Sequence, residues 1–92
     1  MENVEAIKER MLQEGFTIIH EYDDPANEFF PEHEHPTDQF VVVVKGSITI
    51  TMNNETTTLK PGDEMAFPAK VIHSAKVGHE GCFYIDGERP LT

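Results

Sequence analysis

The chain is 92 residues long, with 7 basic residues against 17 acidic ones and a formal charge of −10 at pH 7. A chain of this size buries only about two-thirds of the surface its unfolded form exposes, so it can fold alone but would gain from a bound metal or a dimer interface. The acidic balance, unbroken by any basic block, argues against nucleic acid and anionic membrane surfaces as partners, and the charge itself serves solubility.

Cys82 is the only cysteine. No intrachain disulfide is therefore available and no thiolate zinc cluster can assemble. Its neighbours Phe83, Tyr84 and Ile85 suggest a half-buried strand position, where free cysteine acts as a small hydrophobe. The opening residues MENVEAIKER lack the basic-then-apolar layout of a signal peptide, and no apolar run approaches the length of a membrane span. The expectation is one cytoplasmic domain over residues 1–92.

Taken in order, residues 3–14 are the one helical candidate. Val4, Ile7, Met11 and Leu12 recur at helical spacing, Asn3 can cap the start and Gly15 can end the last turn. The apolar stripe must lie on the outside of a sheet or on a partner chain. From Phe16 the pattern changes to alternation with β-branched and aromatic residues. A strand over Phe16–Tyr22 is followed by a turn at Asp23-Asp24-Pro25 and a strand over Glu28–His35. Pro36-Thr37-Asp38 turns again, and Gln39–Lys45 is an apolar run buried on at least one face.

Gly46 breaks that run. Ser47–Met52 then alternates, with Ile48, Ile50 and Met52 on one face and Ser47, Thr49 and Thr51 on the other. Asn53-Asn54 reads as a hairpin turn, because asparagine tolerates positive φ. Glu55–Leu59 returns, Lys60-Pro61-Gly62-Asp63 turns, and Glu64–Phe67 is a strand ending at Pro68. Val71–Val77 and Cys82–Asp86 follow, separated by Gly78-His79-Glu80-Gly81. Seven or eight short strands with almost no helix predict an antiparallel sandwich or barrel over residues 16–86.

The chemistry is expected in Pro31–Gly46, where His33 and His35 stand two residues apart. On an extended strand such a pair points to one face, with Cα atoms roughly 6.5–7 Å apart, and both imidazoles can reach one ion. Of the other histidines, His79 lies in a glycine-flanked loop and His20 on an early strand, both read as solvated or half-buried. His73 differs, because it follows Pro68 on a strand that begins after a tight turn.

In these two stretches the chain resembles the cupin superfamily. Its first motif, G-x5-H-x-H-x(3,4)-E-x6-G, aligns with Asn27, His33, His35, Gln39 and Gly46, and its second, G-x5-P-x-G-x2-H-x3-N, with Gly62, Pro68, Lys70, His73 and Val77. The two motifs stand at family spacing and, with Ser47–Pro61 between them, span about half the chain. The resemblance implies a double-stranded β-helix, or jelly-roll, barrel with a short N-terminal helix. It also implies that His33, His35, Gln39 and His73 converge on one divalent ion, with Zn, Mn, Ni and Fe as the candidates. Asn27 departs mildly from glycine, since asparagine also reaches left-handed backbone. Lys70 costs roughly 1 kcal/mol if its turn keeps positive φ. Val77 removes a polar group that is not a ligand.

Gln39 in place of glutamate changes the chemistry. It offers a neutral carbonyl oxygen, so three imidazoles and an amide leave the charge of the ion uncompensated. The expected site is exchangeable, strongly Lewis-acidic, drawn to anionic or enolic oxygens, and emptied as pH falls through roughly 6.5. Cupins with glutamine here include small sugar-acid enzymes of pectin degradation. The leading expectation is a metal-dependent enzyme acting on a sugar-derived or keto/enol molecule by isomerisation, ring opening or lyase-type proton transfer. The alternatives are a non-haem iron dioxygenase and a non-catalytic sensor that binds a metabolite or metal in the barrel.

No general base is assigned. Tyr22, Tyr84, Glu32, Glu34 and Asp38 are near in sequence, but alternation turns Glu34 away and Asp38 belongs to a turn. A carboxylated ligand would want a fixed cation, and the only arginines, Arg10 and Arg89, stand near the ends of the chain. The terminal helix and the Phe29-Phe30 pair leave apolar surface that a two-fold homodimer would cover.

Overall fold

The computed structural model describes residues 2–90, which form one helix, α1 (Val4–Gln13), and six strands. The strands are β1 (Ile18–Asp24), β2 (Phe29–His33), β3 (Gln39–Met52), β4 (Glu55–Leu59), β5 (Glu64–Phe67) and β6 (His73–Glu88). Every pairing is antiparallel. The path runs β1-β6-β3-β4, with β2 on β6 and β5 on β3, so the two long strands form the spine of a jelly-roll barrel.

Asn3 caps α1, its side-chain oxygen accepting from the Ala6 amide at 2.8 Å, and Gly15 leaves the helix at φ 89°. Ile7 and Met11 are fully buried against Phe16, Val42 and Ile85 on the outer face of the barrel. The helical stripe is thus covered by its own sheet. Leu12, expected in that stripe, is half exposed instead.

The valine run is buried on both faces. Val41 and Val43 join Ile48, Ile50 and Phe67 inside the barrel, while Val42 points outward under the helix. Beyond it, Thr49 pairs with Thr58 and Thr51 with Thr56 across the outer face of the β3–β4 hairpin, at 2.9 and 3.1 Å. Asn53 and Asn54 turn that hairpin at φ 54° and 63°.

The strand count differs from the sequence expectation because glycines bend strands here without ending them. Gly46 (φ 74°) and Gly81 (φ 80°) face each other, and a Cβ at Gly46 would lie 2.0 Å from the Gly81 carbonyl oxygen. The register of β3 on β6 shifts on either side of this point, which marks bulges. Ladder pairing therefore continues, and β3 and β6 each run through a glycine that was expected to interrupt them.

Strand ends move for similar local reasons. Phe16 packs under α1 on the outer face and stacks on Phe40 at 5.6 Å, and β1 starts at Ile18 and runs on to Asp24, directly before Pro25. β2 stops at His33, short of the expected His35. Pro36 follows and restricts His35, whose carbonyl instead accepts from the Lys70 amide at 2.7 Å. β6 begins at His73 and not at Val71, since Val71 closes the preceding turn onto the Pro68 carbonyl. Among the described residues no helix is long and apolar enough to cross a membrane.

Candidate metal centre and its pocket

The two motifs meet inside the barrel because β2 lies on β6 with His33 directly opposite His73. His35 follows on the short link to β3, tied down by the Lys70 amide. Lys70 stands at φ 67° and Asn27, two residues before β2, at φ 65°, so two left-handed positions that glycine occupies in the motif pattern keep that conformation here.

One ring nitrogen from each of His33, His35 and His73 lies within 4.8 Å of the others. Nitrogens bound at about 2.1 Å to a common ion stand roughly 3–4 Å apart, so small side-chain rotations close the set. His33 Nδ1 donates to the Pro31 carbonyl at 2.8 Å and His73 Nδ1 to the Val71 carbonyl at 3.2 Å. A carbonyl only accepts, so in both rings Nδ1 holds the proton and the Nε2 lone pair is left for an ion. Burial pushes the pKa of His35 and of His73 down, favouring the neutral rings that metal binding requires.

Gln39 opens β3 at the same place and is 7% exposed. Its Nε2 donates to Asp86 Oδ1 at 3.0 Å, while its Oε1 is buried with no hydrogen-bond partner. An orphaned buried carbonyl oxygen costs about 1–3 kcal/mol unless something accepts its lone pairs. A divalent cation does so, and three imidazole nitrogens plus one amide oxygen suit Zn, Mn, Ni or Fe. The residues present fit an ion.

Asp86 is the residue that sequence reasoning missed. It is 4% exposed, and burial pushes its carboxyl up to about 7, with the charge of Glu88 adding to the effect and the Gln39 hydrogen bond opposing it. The signal was present: Cys82, Tyr84 and Asp86 alternate along one strand, so a carboxylate sits in phase with two inward side chains. It also alters the charge expected at the site, since a titratable carboxyl stands directly behind the neutral amide. Glu88 lies near the opposite ring, with Oε1 3.9 Å from His35 Nδ1.

The histidines form part of the wall of an open cavity of about 340 Å³. Tyr22 and Tyr84, their rings 5.5 Å apart, line it, and the Tyr84 hydroxyl donates to Asp24 at 2.7 Å. Of the remaining acid–base candidates, Glu32 and Glu34 are exposed and outside the cavity wall. Asp38 serves its turn, accepting from the Ala69 amide at 2.8 Å and from Arg89 at 3.2 Å. His20 lies against the ring of Tyr22 outside the histidine group, and His79 is 87% exposed.

Known structures share this architecture. KdgF from Halomonas sp. is similar at 23% identity, with 80% of each chain covered and a TM-score of 0.68. An RmlC-like cupin from Shewanella frigidimarina gives 23% identity and a TM-score of 0.73, over 80% of this chain and 66% of that one. The Cnp3 cupin domain of Schizosaccharomyces pombe gives 20% identity and a TM-score of 0.69, over 78% of this chain and 52% of that one. At these identities the likeness is one of fold. None of the curated proteins matches the sequence. The family model for the cupin domain matches residues 20–86, across both motifs and the whole histidine group, and the chain belongs to the cupin family.

Proposed function

We propose that His33, His35, His73 and Gln39 hold one divalent metal ion, and that the pocket around it isomerises, opens or eliminates from a sugar-derived or keto/enol small molecule. The observation that carries this reading is the unpartnered Oε1 of Gln39 in the same cavity wall as three imidazoles with free nitrogens. When bound, such an ion supplies Lewis acidity toward a carbonyl or enediol oxygen.

The chain's own part is to orient and to move a proton. Asp86 fixes the Gln39 amide through Oδ1, which leaves Oδ2 to take a proton from a carbon next to a carbonyl and return it. The Tyr22 and Tyr84 rings flank the same space and limit how a substrate can lie in it. Deuterium exchange tests this directly. Metal-loaded protein in D2O, offered a panel of aldoses, ketoses and 1,3-diketones and followed by NMR, is expected to label a carbon next to a carbonyl. Asp86→Asn, still metal-loaded, is expected to label it at least about tenfold more slowly. No exchange above buffer with any of the compounds would contradict the enzymatic reading.

A two-fold dimer belongs to the same proposal. Phe30 packs into the barrel core, but Phe29 and Ile72 are 61% and 54% exposed, and a second copy would cover them. Light scattering is expected to show a dimer at tens of micromolar, and a monomer there removes this part.

A further inference from the structure

Hydrogen bonds from behind hold three of the four candidate ligand side chains in place. His33 and His73 use the same local device, Nδ1 donating to the carbonyl two residues back in the chain, Pro31 for His33 and Val71 for His73. Gln39 is held across the ladder by Asp86. His35 is the exception. Its backbone carbonyl accepts from the Lys70 amide, but among the described residues its ring meets no carbonyl oxygen that would fix which nitrogen carries the proton.

Glu88 stands where that fourth hold is missing. It is the last residue of β6, and its backbone is fixed on both sides, opposite Ile18 in β1 and Gln39 in β3. Two residues beyond Asp86, it keeps the same phase along the strand and lines the same cavity. Its Oε1 lies 3.9 Å from His35 Nδ1. Among the described residues no lysine or arginine pairs with Glu88, and the adjacent Arg89 is turned to Asp38 and the Glu14 carbonyl. A charge-assisted hydrogen bond to a carboxylate runs at about 2.7–2.9 Å, so the pair closes with a shift of roughly 1 Å, which a partly exposed glutamate side chain can make.

We propose that Glu88 accepts the Nδ1 proton of His35, so that this ring, like the other two, presents Nε2 to the ion. Glu88 is a positioning residue that acts through His35. A carboxylate in that place fixes the orientation of the imidazole, strengthens it as a donor, and adds negative charge beside a centre whose four ligands are neutral. The charge that Gln39 withdraws from the motif position is thus returned from the neighbouring strand, one ring removed from the ion. The inference rests on the metal-site reading above and gives a part in it to a residue outside both motifs.

The test compares Glu88→Ala and Glu88→Gln with the wild-type full chain. Zn²⁺ affinity is read by competition with a chromophoric chelator, and the tautomer of each ring by long-range proton–nitrogen NMR of the zinc-loaded protein. Wild type is expected to coordinate through Nε2 of all three rings, with Nδ1 of His35 protonated. Glu88→Ala should lower zinc affinity about ten- to hundredfold and disturb the ring signals of His35 alone, since backbone carbonyls still hold His33 and His73. Glu88→Gln keeps a neutral acceptor, so it should preserve the His35 tautomer and lose less affinity. Coordination of zinc through Nδ1 of His35 in wild type, equal disturbance of all three rings in Glu88→Ala, or unchanged affinity in that variant overturns the role and leaves the metal site standing. A wild-type chain that takes up no zinc overturns the site reading and this role with it.

Discussion

Gln39 Nε2 donates to Asp86 Oδ1 at 3.0 Å, and that bond holds the amide with its Oε1 buried and without a partner. The ionised carboxylate can only accept, so it selects the NH2 group and leaves Oε1 free for another partner. Outer hydrogen bonds of this kind usually carry a ten- to hundredfold effect on metal affinity. Asp86→Ala is therefore expected to lower Zn²⁺ affinity about ten- to hundredfold, read by competition with a chromophoric chelator. Asp86→Asn can donate as well as accept, lets the amide turn over, and should lose less. Unchanged affinity in Asp86→Ala would contradict the role.

The same pair explains why an amide stands at position 39. A glutamate there would face Asp86 across a buried hydrogen-bond distance, and two carboxylates so placed cannot both ionise. In chelator-treated protein, Gln39→Glu is expected to lose roughly 1–3 kcal/mol by urea denaturation at pH 8. The double variant Gln39→Glu with Asp86→Asn should recover most of that loss. Additive effects of the two substitutions would mean the carboxylates do not interact.

Backbone conformation makes two opposite predictions. Gly46→Ala puts a Cβ against the Gly81 carbonyl and strains a positive φ, so it should cost more than about 2 kcal/mol or prevent folding. Lys70→Gly relieves a lysine held at φ 67° and should gain about 0.5–1 kcal/mol. Thermal unfolding of the two variants reads both signs. A destabilised Lys70→Gly chain would mean the lysine side chain contributes more than its backbone costs.

Alkaline pH should expose the buried acids. Burial pushes the Cys82 thiol from 9.0 up to about 11, and burial with the hydrogen bond to Asp24 pushes the Tyr84 phenol up further. Both groups keep their proton longer in the folded chain than in the unfolded one. Their contribution is complete below pH 9.0 and is lost as pH rises toward about 11 for the thiol, so stability falls in that direction. A disulfide reagent at pH 8 should leave Cys82 unmodified in native protein and label it fully in urea. Rapid labelling of the native chain would show that the strand around Cys82 opens.

Much of this molecule is legible in its sequence because local chemistry and tertiary structure agree. Asn3, Gly15 and the Asn53-Asn54 pair mark the ends of elements that do end there, and the motif spacing brings His33, His35 and His73 together before any contact is known. Gly46 and Gly81 were misleading, since a glycine reads as an interruption and only the neighbouring strand shows that it permits a close crossing. Asp86 was invisible for a different reason. Its partner lies 47 residues away, and alternation places a carboxylate on the inner face without saying what it meets there. The direction of the Gln39 amide, and with it the ligand atom offered, follows from that contact alone.

The measurement that bears most directly on the account is metal content. Untagged protein is stripped with chelator, re-exposed in turn to Zn²⁺, Mn²⁺, Ni²⁺ and Fe²⁺, freed of excess metal and analysed for metal against chain concentration, beside His73→Ala. The account predicts one ion per wild-type chain for at least one of these metals, and its loss in the variant. A wild-type chain that retains no stoichiometric ion, or a variant that retains as much as wild type, would contradict it.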